Sequence, residues 1–206
     1  MLHSWRALDP VPLREAGEVT AGFLRLSISD FQSAAKHLAS LPYGRNREAS
    51  STLAVLTESR GTCSTKHALL RRLAIEQRLD VTLWVGVYEM TAANTPGVAR
   101  ILQNYGLERL PEAHCYLRRG ETRIDLTFAD VPPLIGSDTF LYEEQIAPEQ
   151  IGEYKKNLHF KFLERWATQR SAKQYPADKL WQIREQCIDA LSQENSGPTQ
   201  SSPDLS

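Results

Sequence analysis

Cys63 stands in the run Arg60-Gly61-Thr62-Cys63-Ser64-Thr65-Lys66-His67, followed by Leu69, Leu70, Leu73 and Ala74. The apolar spacing predicts a helix to about residue 78, opening at the cysteine. Gly61 permits a sharp bend there, and Thr62 or Ser64 can cap the first free N–H groups. A thiol at a helix start feels the positive end of the dipole, which favours thiolate. Lys66 and His67, within one turn, are expected to add to that effect. Read alone, the cysteine is equally a small residue at a helix start. Its value as a nucleophile depends on a base and a group to orient the base.

His114 and Asp125 have those types. They flank Arg119-Gly120, where two runs of alternating apolar and polar residues predict a hairpin, with the glycine supplying positive φ. A two-residue Arg119-Gly120 loop would pair Arg118 with Glu121 and set His114 opposite Asp125. Cross-strand partners share a face with Cβ atoms about 4.5–5.5 Å apart. A carboxylate so placed can hold an imidazole in one tautomer. A register shift of one residue would send the two side chains to opposite faces.

Together these residues resemble the transglutaminase-like superfamily, which shares the papain-like thiol fold. The Gly-x-Cys turn opening an apolar helix, the strand after it, and a later His-aromatic strand returning to Asp-x-Thr carry the resemblance, over roughly residues 40–130. It implies Cys63, His114 and Asp125 as a triad in the family's chain order. It departs from many members at Ser64, where an aromatic residue is usual. For the oxyanion or substrate, the candidates are Tyr43 and Asn46, in a turn shortly upstream of the nucleophile, and Thr62 beside it.

Other chemistries fit less well. Cys63, His67, His114 and Cys115 could be zinc ligands, but neighbours on a strand point to opposite faces, and no Cys-x-x-Cys knuckle is present. The chain has neither a Gly-x-x-x-x-Gly-Lys nor a Gly-x-Gly-x-x-Gly phosphate loop, and no serine elbow. No metal and no cofactor is therefore expected.

The remaining elements must position the triad. Val19 to Ile28 alternates weakly and predicts a strand; Ser29-Asp30 then caps a helix over Phe31 to Leu41. Asp80 to Tyr88 is rich in β-branched and aromatic residues and predicts a central strand, with Trp84 and Tyr88 in the core. Pro96 opens a short helix to Gln103. A loop is expected through Pro132-Pro133 and Gly136. Residues 139–193 read as helix, with Ile151, Tyr154, Leu158, Phe162 and Trp166 on one stripe and Trp181, Ile188 and Leu191 inward on the next. His37 and His159 are expected to be structural, and Arg45 and Arg47 solvated, with binding of a substrate carboxylate as the alternative for the two arginines.

The expected fold class is α+β: a papain/transglutaminase-like core over 18–140, an irregular segment over 1–17, a C-terminal helical pair over 141–193 and a tail of disordered composition over 194–206. With 206 residues, 41% hydrophobic, and a net charge of −1, the composition is that of a globular protein without the basic excess of a nucleic-acid binder. No apolar run is long enough for a membrane span, and Met1 to Pro10 lacks the apolar core of a secretion signal. Three widely spaced cysteines make no disulfide framework, so the cytoplasm is the expected location. The expected function is thiol-dependent acyl chemistry on a peptide-like amide, hydrolysis before transamidation. The alternative is a non-catalytic binding or assembly module on the same fold. Oligomeric state is left open.

Overall fold

The structure is a computed structural model that describes residues 3–48, 51–128, 140–169 and 175–194. It is α+β. Helices α1 (Glu18–Arg25), α2 (Phe31–Ser40) and α3 (Ala54–Thr57) precede α4 (Cys63–Glu76). Strand β1 (Thr82–Thr91), helix α5 (Ala99–Asn104), strands β2 (Arg109–Arg119), β3 (Thr122–Ile124) and β4 (Phe140–Ile146), and helices α6 (Glu153–Gln169) and α7 (Ala177–Glu194) follow. The sheet is antiparallel in the order β3-β2-β1-β4, so the two longest strands occupy its centre. Among the described residues no helix is long and apolar enough to cross a membrane.

The sheet and α4 share one core. Leu70, Leu73 and Ala74 of α4 pack with Val85 and Val87 of β1 and with Ala113, Cys115 and Leu117 of β2. Alternation along a strand sends these residues one way and His114 and Tyr116 the other. A second apolar cluster joins Tyr88, Met90 and Leu110 to Leu163 of α6 and to Leu180, Ile183 and Cys187 of α7. The C-terminal helices are thereby built onto the sheet, each burying on the order of 2 kcal/mol per large apolar side chain.

Several expectations need correction. Val19 to Ile28 is not a strand: Val19, Thr20, Gly22 and Phe23 form the buried side of α1. Gly17 offers that helix no capping side chain; the Glu76 carboxylate at the far end of α4 caps it instead, accepting from the N–H groups of Val19 (3.1 Å) and Thr20 (2.7 Å). Phe140–Ile146 is a strand rather than helix, pairing with β1. The core sheet thus runs past residue 140, and the C-terminal helical pair begins only at Glu153. On α6 the buried line is Lys155, His159 and Leu163, while Tyr154 is exposed. The Pro132–Gly136 loop and the tail beyond Glu194 lie outside the described residues.

The segment before α1 is irregular apart from a short 3-10 turn at Ser4–Ala7, yet it is anchored. Arg119 bonds Asp9 and the Ala7 carbonyl, and Ser4 reaches the loop after β3. At the hairpin the loop is Gly120-Glu121, because Arg119 pairs with Thr122 and Arg118 with Arg123. Gly120 holds the left-handed conformation the turn requires, at φ 54°.

Candidate active site

Cys63 is the first residue of α4, and a capping box sets that start. The Thr65 N–H donates to Thr62 Oγ1 (3.4 Å), and the Thr62 N–H donates to Thr65 Oγ1 (2.9 Å). Gly61 is required by space: a Cβ there would sit 2.9 Å from Thr65 Oγ1 and 3.0 Å from Lys66 Cγ. A parallel bridge between Tyr43 and Gly61 brings the upstream turn alongside Cys63.

His114 arrives on β2 and Asp125 just past the end of β3. The His114 Nε2–H donates to Asp125 Oδ2 at 2.9 Å, leaving Nδ1 for the thiol. The carboxylate is fixed by its own neighbours. Asp125 Oδ1 accepts from the Thr127 N–H (2.9 Å) and from the Thr127 hydroxyl. Ser4 Oγ donates to the Asp125 carbonyl (2.7 Å) and accepts from its N–H (3.0 Å). Because β3 covers only Leu117 to Arg119 of β2, the edge at Cys115 has no strand partner on that side among the described residues, and the Cys115 N–H is given to the Cys63 sulfur.

The electrostatics favour an ion pair. Burial pushes the Cys63 thiol up, but the Lys155 ammonium, then the charge and hydrogen bond of His114, bring it down to about 6. Burial pushes His114 down, and the Asp125 and Cys63 charges with their hydrogen bonds carry it well above the ordinary histidine value. Asp125 is buried too, which raises it, yet His114 and His67 hold it far below the usual carboxylate range. The buried cysteines elsewhere go the opposite way: Cys115 is raised, and burial pushes Cys187 up to about 12.

Lys66 and His67 bond away from the thiol, although the Lys66 ammonium and the Cys63 charge still attract. The Lys66 ammonium is fully buried and donates to the carbonyls of Leu41 (2.6 Å) and Thr127 (2.9 Å). His67 Nδ1–H donates to the Cys63 carbonyl (2.6 Å), while its Nε2 accepts from the Leu126 N–H (2.7 Å). Those two bonds fix one neutral tautomer, and burial keeps the ring down at about 4. Both side chains therefore tie the start of α4 to the Asp125 loop.

A cleft of about 450 Å³ opens at Cys63, lined by Tyr43, Asn46 and Thr62 on one side and by α6 and α7 on the other. Tyr43 is buried against Phe128, and burial followed by the Cys63 charge keeps its hydroxyl protonated as a donor. Asn46 has its amide nitrogen engaged away from the thiol, donating to the Arg60 carbonyl (2.9 Å) and bonding the Glu58 carboxylate, while Oδ1 lacks a partner. Thr62 has its hydroxyl in the capping box, so it shapes the helix start.

Three residues of the C-terminal helices were not foreseen as part of this site. Lys155 Nζ donates to Ser64 Oγ (2.8 Å), and Ser64 Oγ lies 3.9 Å from Cys63 Sγ. Arg184 grips Glu112 of β2 through Nε (2.7 Å) and Nη2 (2.6 Å). His159 Nε2–H donates to the Pro111 carbonyl (2.8 Å), a structural role as expected although the ring lines the cleft. Arg45 also lines it and pairs with Glu185 at 2.6 Å. The available signal was polar: Lys155 and His159 share the line of Leu163, where an amphipathic helix should be apolar.

Compared with known protein families, curated proteins and solved structures, the chain matches none.

Proposed function

We propose that this protein is a cysteine hydrolase with a papain/transglutaminase-like core, acting on a peptide-like amide through Cys63, His114 and Asp125. The observation that carries the reading is the 2.9 Å bond from His114 Nε2 to Asp125 Oδ2, with the other ring nitrogen left to a thiol at a helix start. A structural cysteine has no need of an oriented histidine beside it, nor of a pKa near neutrality. The chain order Cys, His, Asp, with the cysteine on a helix packed against the sheet that bears the histidine, supports the family reading.

In this mechanism the Cys63 thiolate attacks the amide carbon, a C–S bond forms, and the carbonyl π electrons move to oxygen. The Cys63 N–H, one of the unbonded groups of the first turn of α4, faces that charge, with the Tyr43 hydroxyl as the side-chain donor. The C–N bond then breaks as the His114 imidazolium gives its proton to the leaving amine. Water attacks the thioester, His114 takes the water's proton, and the carboxylic acid leaves with the thiolate restored. An amine in place of water would give transamidation from the same thioester. Water is proposed because it is in vast excess and the cleft carries charged side chains such as Arg184 and Glu185.

A peptide-mimic electrophile read by mass spectrometry tests the proposal. Covalent capture should fall on Cys63, vanish in Cys63→Ala and slow sharply in His114→Ala. Capture indifferent to His114 would overturn it and leave the binding-module reading in its place.

A further inference from the structure

Lys155 is 8% exposed, lines the cleft, and has one neutral partner, the Ser64 hydroxyl at 2.8 Å. An ammonium carries three donors, and burying one without a carboxylate is costly. The two arginines of the cleft are matched. Arg184 is held by Glu112 and, at 2.7 Å, by Glu185, which also pairs with Arg45. Among the described residues no carboxylate lies within ion-pair reach of Lys155; the Cys63 thiolate, one hydroxyl away, is the largest of the negative charges acting on it, and the more distant Glu112, already gripped by Arg184, contributes less. Acylation of the sulfur abolishes that charge. The buried ammonium then loses its largest counter-charge, and an anionic group on the substrate can replace it in the same cleft.

We propose that the cleft accepts substrates carrying a carboxylate within a few bonds of the scissile carbonyl, with Lys155 as the residue that receives it. The inference rests on the nucleophile assignment and adds the substrate class. The carboxylate has two sources in peptides, the free C-terminus or an acidic side chain next to the scissile bond. Exposed Lys156 and the already paired Arg45 favour an anion approaching from outside, and the one acid in the lining, Glu185, is held by its two arginines.

The test compares alkylation of Cys63 by iodoacetate and iodoacetamide on the full chain at a pH where the thiolate is fully formed. Each reagent forms a C–S bond and expels iodide; they differ in bearing a carboxylate or a neutral amide. The ratio of their rates is independent of the thiolate fraction. Iodoacetate is expected to react faster and to saturate with concentration. Lys155→Met should cut the ratio about tenfold, the effect of about 1.4 kcal/mol, and Lys155→Arg should keep most of it. His114→Ala should slow both reagents and leave the preference. On the wild-type protein, which needs no variant to fold, peptides with a free C-terminal carboxylate and their amidated forms, and Glu peptides and their Gln forms, are compared as protectants against iodoacetamide. Protection by either carboxylate form over its neutral twin supports the inference and names the source. Reaction of Cys63 under His114 control, with no preference for iodoacetate and no carboxylate-specific protection, overturns this inference alone. Labelling of Cys63 no faster than Cys115 and Cys187, and indifferent to His114, overturns the nucleophile assignment and this inference with it.

Discussion

Asp125 bonds His114 at 2.9 Å although the ladder between β2 and β3, carried one residue further, sets Asp125 opposite Tyr116. The hairpin turns at Gly120-Glu121, so the register differs from the sequence expectation by two residues, and a shift of two keeps every side chain on its face. The two residues therefore meet diagonally on one side of the sheet. Because β3 ends at Ile124, the Asp125 backbone is free to follow Ser4 and Thr127 instead of a strand partner.

The first prediction concerns the thiols. Cys63, lowered to about 6, loses its thiolate as the pH falls through that value, whereas Cys115 is raised and Cys187 stands near 12. Limiting iodoacetamide at pH 7 should label Cys63 first. Its rate, followed by mass spectrometry, should halve near pH 6. A rate still climbing through pH 8–9, as for an ordinary thiol, would contradict the ion pair.

Asp125→Asn should lower the affinity of His114 for its proton, since the Asp125 charge is the largest of the effects that raise it. The imidazolium that helps to hold the thiolate is then weakened. Cys63 alkylation at pH 7 should fall by roughly tenfold or more, and His114→Ala should fall at least as far. The double variant should be no slower than His114→Ala, because the pair acts as a unit. Additive losses would mean that Asp125 acts by another route.

Lys66→Met tests a structural cation. It removes the donor from carbonyls of Leu41 and Thr127, which burial keeps from water. The loss should be about 3 kcal/mol, and in a chain of this size a drop of roughly 6–12 °C in Tm. A change under a degree would show that the carbonyls find other donors.

Acid should destabilise the fold before its carboxylates titrate. His67 and His159 are both held neutral by burial, at about 4, below the free-histidine value of 6.5. The unfolded chain therefore binds more protons between those values, and stability falls as the pH drops from about 6.5 toward 4. Each ring should account for on the order of 2 kcal/mol over that window. Denaturant titrations at pH 7 and pH 5 would show it, and equal midpoints would contradict it.

Local signals gave the helix start at Cys63, the strand after it and the shared face of His114 and Asp125. Where the sequence misled, the deciding contact was distant or the pattern was muted. The N–H groups opening α1 are capped by Glu76, which nothing near Val19 announces, so its weak alternation suggested a strand. Strand β4 runs along the sheet edge as Phe-Leu-Tyr-Glu-Glu-Gln-Ile with only Ile146 buried, too polar to resemble a core strand. Lys155 lies far along the chain from Ser64, and no spacing rule links them. The conduct of Lys66 and His67 was illegible for a related reason: adjacency to Cys63 fixed their place on the helix, while carbonyls and an N–H from other segments decided where they bond.

Cys63 with its histidine and carboxylate, and the wall of the cleft that faces them, come from separate stretches of chain. Cys63, His114 and Asp125 belong to the stretch from α4 to the end of the hairpin, whereas Lys155 and Arg184 come from α6 and α7. The proposed nucleophile and the proposed substrate contacts thus lie in different passages of the sequence, joined by Lys155, which also lowers the Cys63 thiol. Descendants of this chain could change what they accept through substitutions on two helices while leaving the sulfur and its histidine untouched. The bond of Arg184 to Glu112, that of His159 to the Pro111 carbonyl and the apolar seam along Leu163 and Ile183 hold the two helices to the sheet and mark where such divergence would stop.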